Sequence, residues 1–200
     1  MAQDSGPSVR DRLRSETAQA HAALDARMRP LLGGDERRYI EFLTASARAL
    51  LPIEQALGEA GVENLLPDWP ARARSAAIVA DLDALGTRYA APPQARPVPD
   101  EAFLWGALYV LEGSRLGAQA LSRLALAHPS ERVRGATLYL RHGAGQGLWR
   151  SFLARLEAAQ APRDRMQSAV AGARWAFAEF ERALDNTLPA PEALAPTEGA

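Results

Sequence analysis

The chain has 200 residues, 48% of them hydrophobic, with 23 basic and 24 acidic side chains and a formal net charge of -1. That balance excludes a disordered tail and argues against a general binder of nucleic acid or anionic membrane. The absence of Cys excludes disulfides, zinc–thiolate sites, iron–sulfur clusters and thiol nucleophiles.

Every basic residue is Arg, so an anion site must use guanidinium, which grips carboxylates in a two-pronged fork. The N-terminal "MAQDSGPSVR" has no apolar core of a leader, and no run approaches ~18 apolar residues. The expectation is a cytoplasmic protein with no membrane partner and no nucleic-acid partner. Ala, Leu, Arg and Glu dominate while β-branched residues are scarce, so the fold class expected is all-α.

Residues 1–7 are expected to be disordered. Ser8 with Asp11 resembles a capping pair opening a helix that ends near Met28, and Leu13, Thr17, Ala20, Leu24 and Met28 form its apolar stripe. "RPLLGGDE" is expected to break it. A second helix spans about 35–60, bent or interrupted at Pro52. After the turn "LLPDWP", a third helix covers "ARARSAAIVADLDALG", and "APPQARPVPD" is a proline-rich surface connector. Asp100 suits the N-cap of a helix running to about Ala127. Shorter helices are expected near 131–142 and 147–159, then a long one over 163–186. The tail 188–200 is Pro- and Ala-rich and expected to be disordered. The domain proper is therefore 8–187, a single helical bundle.

Of three histidines, His21 sits mid-helix beside the apolar stripe. It reads either as a half-buried core histidine or as a metal ligand through neutral imidazole, with Ala18, Ala20, Ala22 and Ala23 leaving room for a planar group. Arg14 lies two turns earlier on the same face, about 10 Å away by helix rise. In "GALYVLEGSRLGAQAL", Gly106, Gly113, Gly117 and Ala120 form a stripe of small residues, with Ser114 beside it. Such a stripe lets either another helix or a flat ligand approach the backbone. No Glu-x-x-His pair for a di-iron bundle is present, no phosphate-binding glycine loop, and "EGSRLG" lacks the first glycine of a nucleophile elbow.

Two motifs match a known family. "LRSETAQAHAALD" resembles the proximal helix of heme oxygenases and "LYVLEGSRLGAQAL" their distal helix. The resemblance covers roughly residues 8–186 and is closest to the bacterial, biliverdin-producing branch that supplies bacteriophytochromes; "GLWRSFLARLE" and "AVAGARWAFAEFERAL" resemble that branch's C-terminal helices. The resemblance implies a heme oxygenase-like bundle with heme sandwiched between proximal and distal helices. Heme b is then both cofactor and substrate, consumed with O2 and an external electron donor such as ferredoxin or ascorbate. The implied products are biliverdin, of the IXα isomer, CO and ferrous iron, with a bacteriophytochrome as the bilin's receiver.

By position, the resemblance implies His21 as the proximal iron ligand and Gly113, Ser114 and Gly117 at the distal heme face. It implies Arg14, Tyr109 and Arg150 as propionate partners, Phe177 at the heme edge, and Arg141 with His142 in the distal water network. Mammalian members have Asp where this chain has Ser114, which implies a proton relay built differently. The alternative reading is a heme carrier on the same fold that does not degrade heme.

Overall fold

The computed structural model describes residues 7–89 and 97–188, and all regular structure among these residues is helical. The expectations for 1–6 and 189–200, and for most of the proline-rich connector, lie outside the described residues. Leu188, placed in the tail by sequence, packs against the core.

Helix α1 spans Val9–Leu32. Ser8 caps it reciprocally: its Oγ accepts from the Asp11 N–H at 3.1 Å and donates to the Asp11 carboxylate at 3.0 Å. The helix passes through Pro30, which was expected to end it. Proline forfeits one backbone hydrogen bond there, but the extra turn buries Leu31 and Leu32, and burial of such side chains is worth about 1.5–3 kcal/mol each. Helix α2, Glu36–Glu59, likewise runs unbroken through the buried Pro52.

The third predicted helix is divided. Helix α3 is Trp69–Arg72 and α4 is Ser75–Ala84. The buried Glu54 carboxylate on α2 accepts the backbone N–H groups of Arg74 and Ser75 and the Ser75 hydroxyl. That carboxylate meets donors which a continuous helix would turn inward, so the chain breaks and restarts there.

Helix α5, Glu101–Leu126, starts where expected, with the Asp100 carboxylate accepting from the Phe103 N–H at 3.0 Å. The region 131–142 forms two pieces, α6 (Glu131–Gly135) and α7 (Leu138–Arg141). Buried Asp81 accepts the N–H groups of Leu138 and Tyr139, and the Tyr39 hydroxyl donates to the Ala136 carbonyl. Burial pushes the Asp81 carboxyl above its ordinary value despite those donors. Helix α8 covers Leu148–Ala158, α9 Ala161–Asp164 and α10 Met166–Asp185.

Helix α10 is the central strut, packing against α5, α2 and α1. The α5–α10 contact is a reciprocal glycine notch. A Cβ on Gly106 would overlap the carbonyl of Ala169, and one on Gly172 would overlap that of Phe103. The small-residue stripe of α5 is thus partly a packing seam, at its N-terminal end.

Candidate active site

Further along α5 the same stripe faces open space. A Cβ on Gly113 would make only ordinary contact with Trp149, at 3.7 Å, and one on Gly117 would meet nothing within 4 Å. Both glycines line a cavity of about 660 Å³, within the range that holds cofactors and small ligands. Helix α1 supplies a second wall with Thr17, His21 and Leu24; α10 adds Phe177 and Phe180, and α8 adds Trp149.

His21 is exposed rather than half-buried, with 64% of its side chain accessible. Its ring meets Phe177 edge-to-face, centroids 6.0 Å apart. Its Nδ1 lies 3.3 Å from the Asp25 carboxylate. That partner favours a proton on Nδ1 and leaves the Nε2 lone pair for a ligand. His128, by contrast, is committed: its Nδ1 accepts from the Ser130 N–H, so its Nε2 donates to the Gly34 carbonyl at 3.0 Å.

At one end of the cavity Arg10 and Arg14 gather with Tyr109. Burial pushes the Tyr109 phenol up, while the charges of Arg10 and Arg14 draw it down. Two guanidinium groups and a phenol suit a pair of carboxylates. Ser114 donates to the Leu111 carbonyl at 2.8 Å, leaving its oxygen free to accept.

Opposite in character is Arg74, which lines the cavity yet is almost wholly buried. Its Nη2 donates to the Leu111 carbonyl at 3.0 Å, its charge lies over the Tyr139 ring at 5.2 Å, and its buried Nε has no partner. Ser46, on α2, lines the cavity as well.

Three sequence-predicted residues are not brought to the cavity. Arg141 and Arg150 are exposed and outside its lining; their neighbours Leu140 and Trp149 occupy it instead. One residue along a helix turns a side chain by about 100°, which is enough to exchange the wall for solvent. His142 lies behind α5, its Nδ1 accepting from Arg115 Nη1 at 3.4 Å. Burial first, then the charge of Arg115, lowers its pKa, keeping the ring neutral.

Sequence reasoning missed Arg10, Ser46, Arg74, Tyr139 and Trp149. Trp149 stands in a segment that carried the resemblance, so its bulk beside Arg150 was a usable signal. Arg74 had none, because its place depends on Glu54, twenty residues earlier.

These walls define a helical protein with a slot for a flat, anionic, metal-bearing ligand: a free imidazole, side-chain-free backbone and a basic rim. No family model matches the chain. It is 31% identical to the heme oxygenase of Xanthomonas campestris pv. campestris (strain 8004) over 152 residues, covering 75% of this chain and 90% of the relative. It is 30% identical over 199 residues to the heme oxygenase PigA of Pseudomonas aeruginosa, covering 90% and 96%. Among solved structures, the NO- and CO-bound heme oxygenase from Neisseria meningitidis superimposes with a TM-score of 0.71 at 25% identity, over 94% of this chain and 99% of that one. The chain belongs to the heme oxygenase family, oxidoreductases that degrade heme. No helix among the described residues is long and apolar enough to cross a membrane.

Proposed function

We propose that this heme oxygenase binds heme b between α1 and α5 and opens it at the α-meso edge, giving biliverdin IXα, CO and ferrous iron. The observation that carries the reading is that His21 and the side-chain-free backbone of Gly113 and Gly117 line one cavity. Bound heme supplies both the iron at which O2 is reduced and the ring that is cleaved; electrons come from an external donor of the ferredoxin or ascorbate type.

The chain's part is orientation and proton supply. His21 Nε2 holds the iron from the α1 side, and Asp25 fixes the ring's tautomer through Nδ1. Phe177 packs against the His21 ring edge and limits its rotation. Arg14 and Tyr109, with Arg10, hold the propionates, which sets the rotation of the macrocycle and hence the edge presented for attack. Gly113 and Gly117 bring backbone against the distal face, leaving space for O2 and denying it to larger groups. Ser114 and Ser46 present hydroxyls, and Arg74 presents N–H donors, to water on that side. This set does the work that a distal carboxylate does elsewhere.

The test is an absorbance scan of the purified protein with hemin, O2 and ascorbate or a ferredoxin reducing system. A biliverdin spectrum is expected, and the product should load an apo-bacteriophytochrome. Hemin that binds but survives repeated reduction would leave a heme carrier as the correct reading.

A further inference from the structure

Behind Gly113, on the side of α5 away from the cavity, Glu112 is fully buried between two arginines. Its Oε2 accepts from Arg72 Nη1 at 2.6 Å, and its Oε1 accepts from Arg115 Nε at 3.0 Å and Nη2 at 2.8 Å. Arg72, also fully buried, reaches further. Its Nη1 donates to the Leu148 carbonyl at 3.1 Å, and its Nη2 to Ser151 Oγ and to the Asp68 carboxylate, both at 2.8 Å. Arg115 Nη2 returns to the Arg72 carbonyl at 2.5 Å.

Buried ion clusters are seldom a net source of stability, because desolvation offsets the attraction; what they fix well is geometry. Three segments meet in this one, and each also supplies a cavity wall. The α3–α4 junction carries Arg74, two residues beyond Arg72. Helix α5 carries Gly113, next to Glu112. The first turn of α8 carries Trp149, between Leu148 and Ser151. The junction is also gripped from its far side by Glu54 on the Arg74 N–H.

We infer that the Arg72–Glu112–Arg115 cluster is a positioning device that holds Arg74 and Trp149 in register with the distal glycines. Glu112 is a positioning residue for this site: it touches nothing in the cavity, yet it sets where the N–H donors of Arg74 sit. The inference rests on the proposed use of the cavity as a heme site.

The test compares Glu112→Gln, the charge-balanced pair Glu112→Gln/Arg115→Gln, and Arg74→Leu. In the heme-free protein, amide exchange at 72–75 and 147–151 should rise about tenfold in Glu112→Gln, equivalent to about 1.4 kcal/mol of local opening, with α1 unchanged. In the ferrous–CO protein, Arg74→Leu removes a positive donor and should raise the C–O stretching frequency. Glu112→Gln should shift it the same way, with hemin affinity within threefold of the parent. The double variant should regain melting temperature but keep both shifts, because Arg72 still lacks the Glu112 carboxylate, keeping only that of Asp68, and its carbonyl still lacks Arg115. Exchange and stretching frequency that return to parent values along with melting temperature would overturn the inference, as would an unshifted frequency in Glu112→Gln when Arg74→Leu shifts it. A parent protein that binds no hemin would count against the proposed function, and the exchange arm would still decide whether the cluster holds these segments.

Discussion

Gly106 and Gly117 stand about three turns apart on α5 and serve opposite purposes: a Cβ at Gly106 would strike the Ala169 backbone, whereas one at Gly117 would meet nothing within 4 Å. Substitution separates the two. Gly106→Ala must push α10 away and should cost about 2–3 kcal/mol by urea unfolding, the upper end for overpacking. Gly117→Ala has room and gains helix propensity, so the heme-free protein should become more stable by about 0.5–1 kcal/mol. Gly117→Leu should keep the fold and abolish turnover; normal turnover in that variant would take Gly117 out of the proposed oxygen pocket.

His21→Ala should leave the heme-free protein within about 0.5 kcal/mol of the parent, because the side chain is exposed and its neighbour Asp25 is exposed too. The same change should remove the axial-imidazole signature of the ferric heme complex, and added imidazole should restore it. An unaltered spectrum would place the ligand elsewhere.

Arg10 and Arg14 are both exposed at the cavity rim. Each, replaced by Ala, should weaken hemin binding about fivefold at low salt, the effect of ~1 kcal/mol for a solvent-screened pair. The loss should shrink at high ionic strength. Analysis of the bilin isomers by chromatography should show a second isomer in Arg14→Ala if propionate anchoring sets the cleaved edge; a product ratio identical to the parent's would remove Arg14 from that role.

Acid stability should carry two signatures. The Asp100 carboxyl is held below its usual value of 3.8, first by the Phe103 N–H, then by Ser168 and Arg165. Its contribution is complete above the unfolded value and is lost as pH falls through the lower folded value. Asp100→Asn keeps the cap but not the charge, so the stability gap between it and the parent should close below about pH 4.

His142 behaves differently. Its folded pKa lies below the ordinary 6.5, first because of burial and then because of Arg115. As pH falls below 6.5 the unfolded chain takes up a proton that the folded chain resists. Stability should therefore decline through that range in the parent and decline less in His142→Gln. Parallel curves for the two proteins would show that His142 does not titrate differently on folding.

Much of this was legible in the sequence because it was local. Ser8 and Asp100 announce helix starts through their own backbone hydrogen bonds, and the placing of His21 with Gly113 and Gly117 needed only helix periodicity and two motifs. What escaped was long-range. Glu54 splits a predicted helix at Arg74, and Asp81 splits another before Leu138, each from a distant segment. Pro30 and Pro52 read as breaks, yet burial of the apolar residues around them carried both helices through. Arg150 read as a site residue, while Trp149, one position earlier, takes the wall.

The glycine notch between α5 and α10 also sets how the glycine-lined wall is held. Gly106 lies against the main chain of Ala169 and Gly172 against that of Phe103, so at these two points α5 and α10 meet backbone to backbone. Helix α1 packs against α10 as well, burying Leu13 and Met28 in the core, and pairs such as Arg27–Asp185 and Arg174–Glu16 tie the two from the solvent side. A methyl group at Gly106 or Gly172 would meet main chain rather than a rotatable side chain, so it could be admitted only by moving a whole helix, and the cavity wall at Gly113 and Gly117 would move with it.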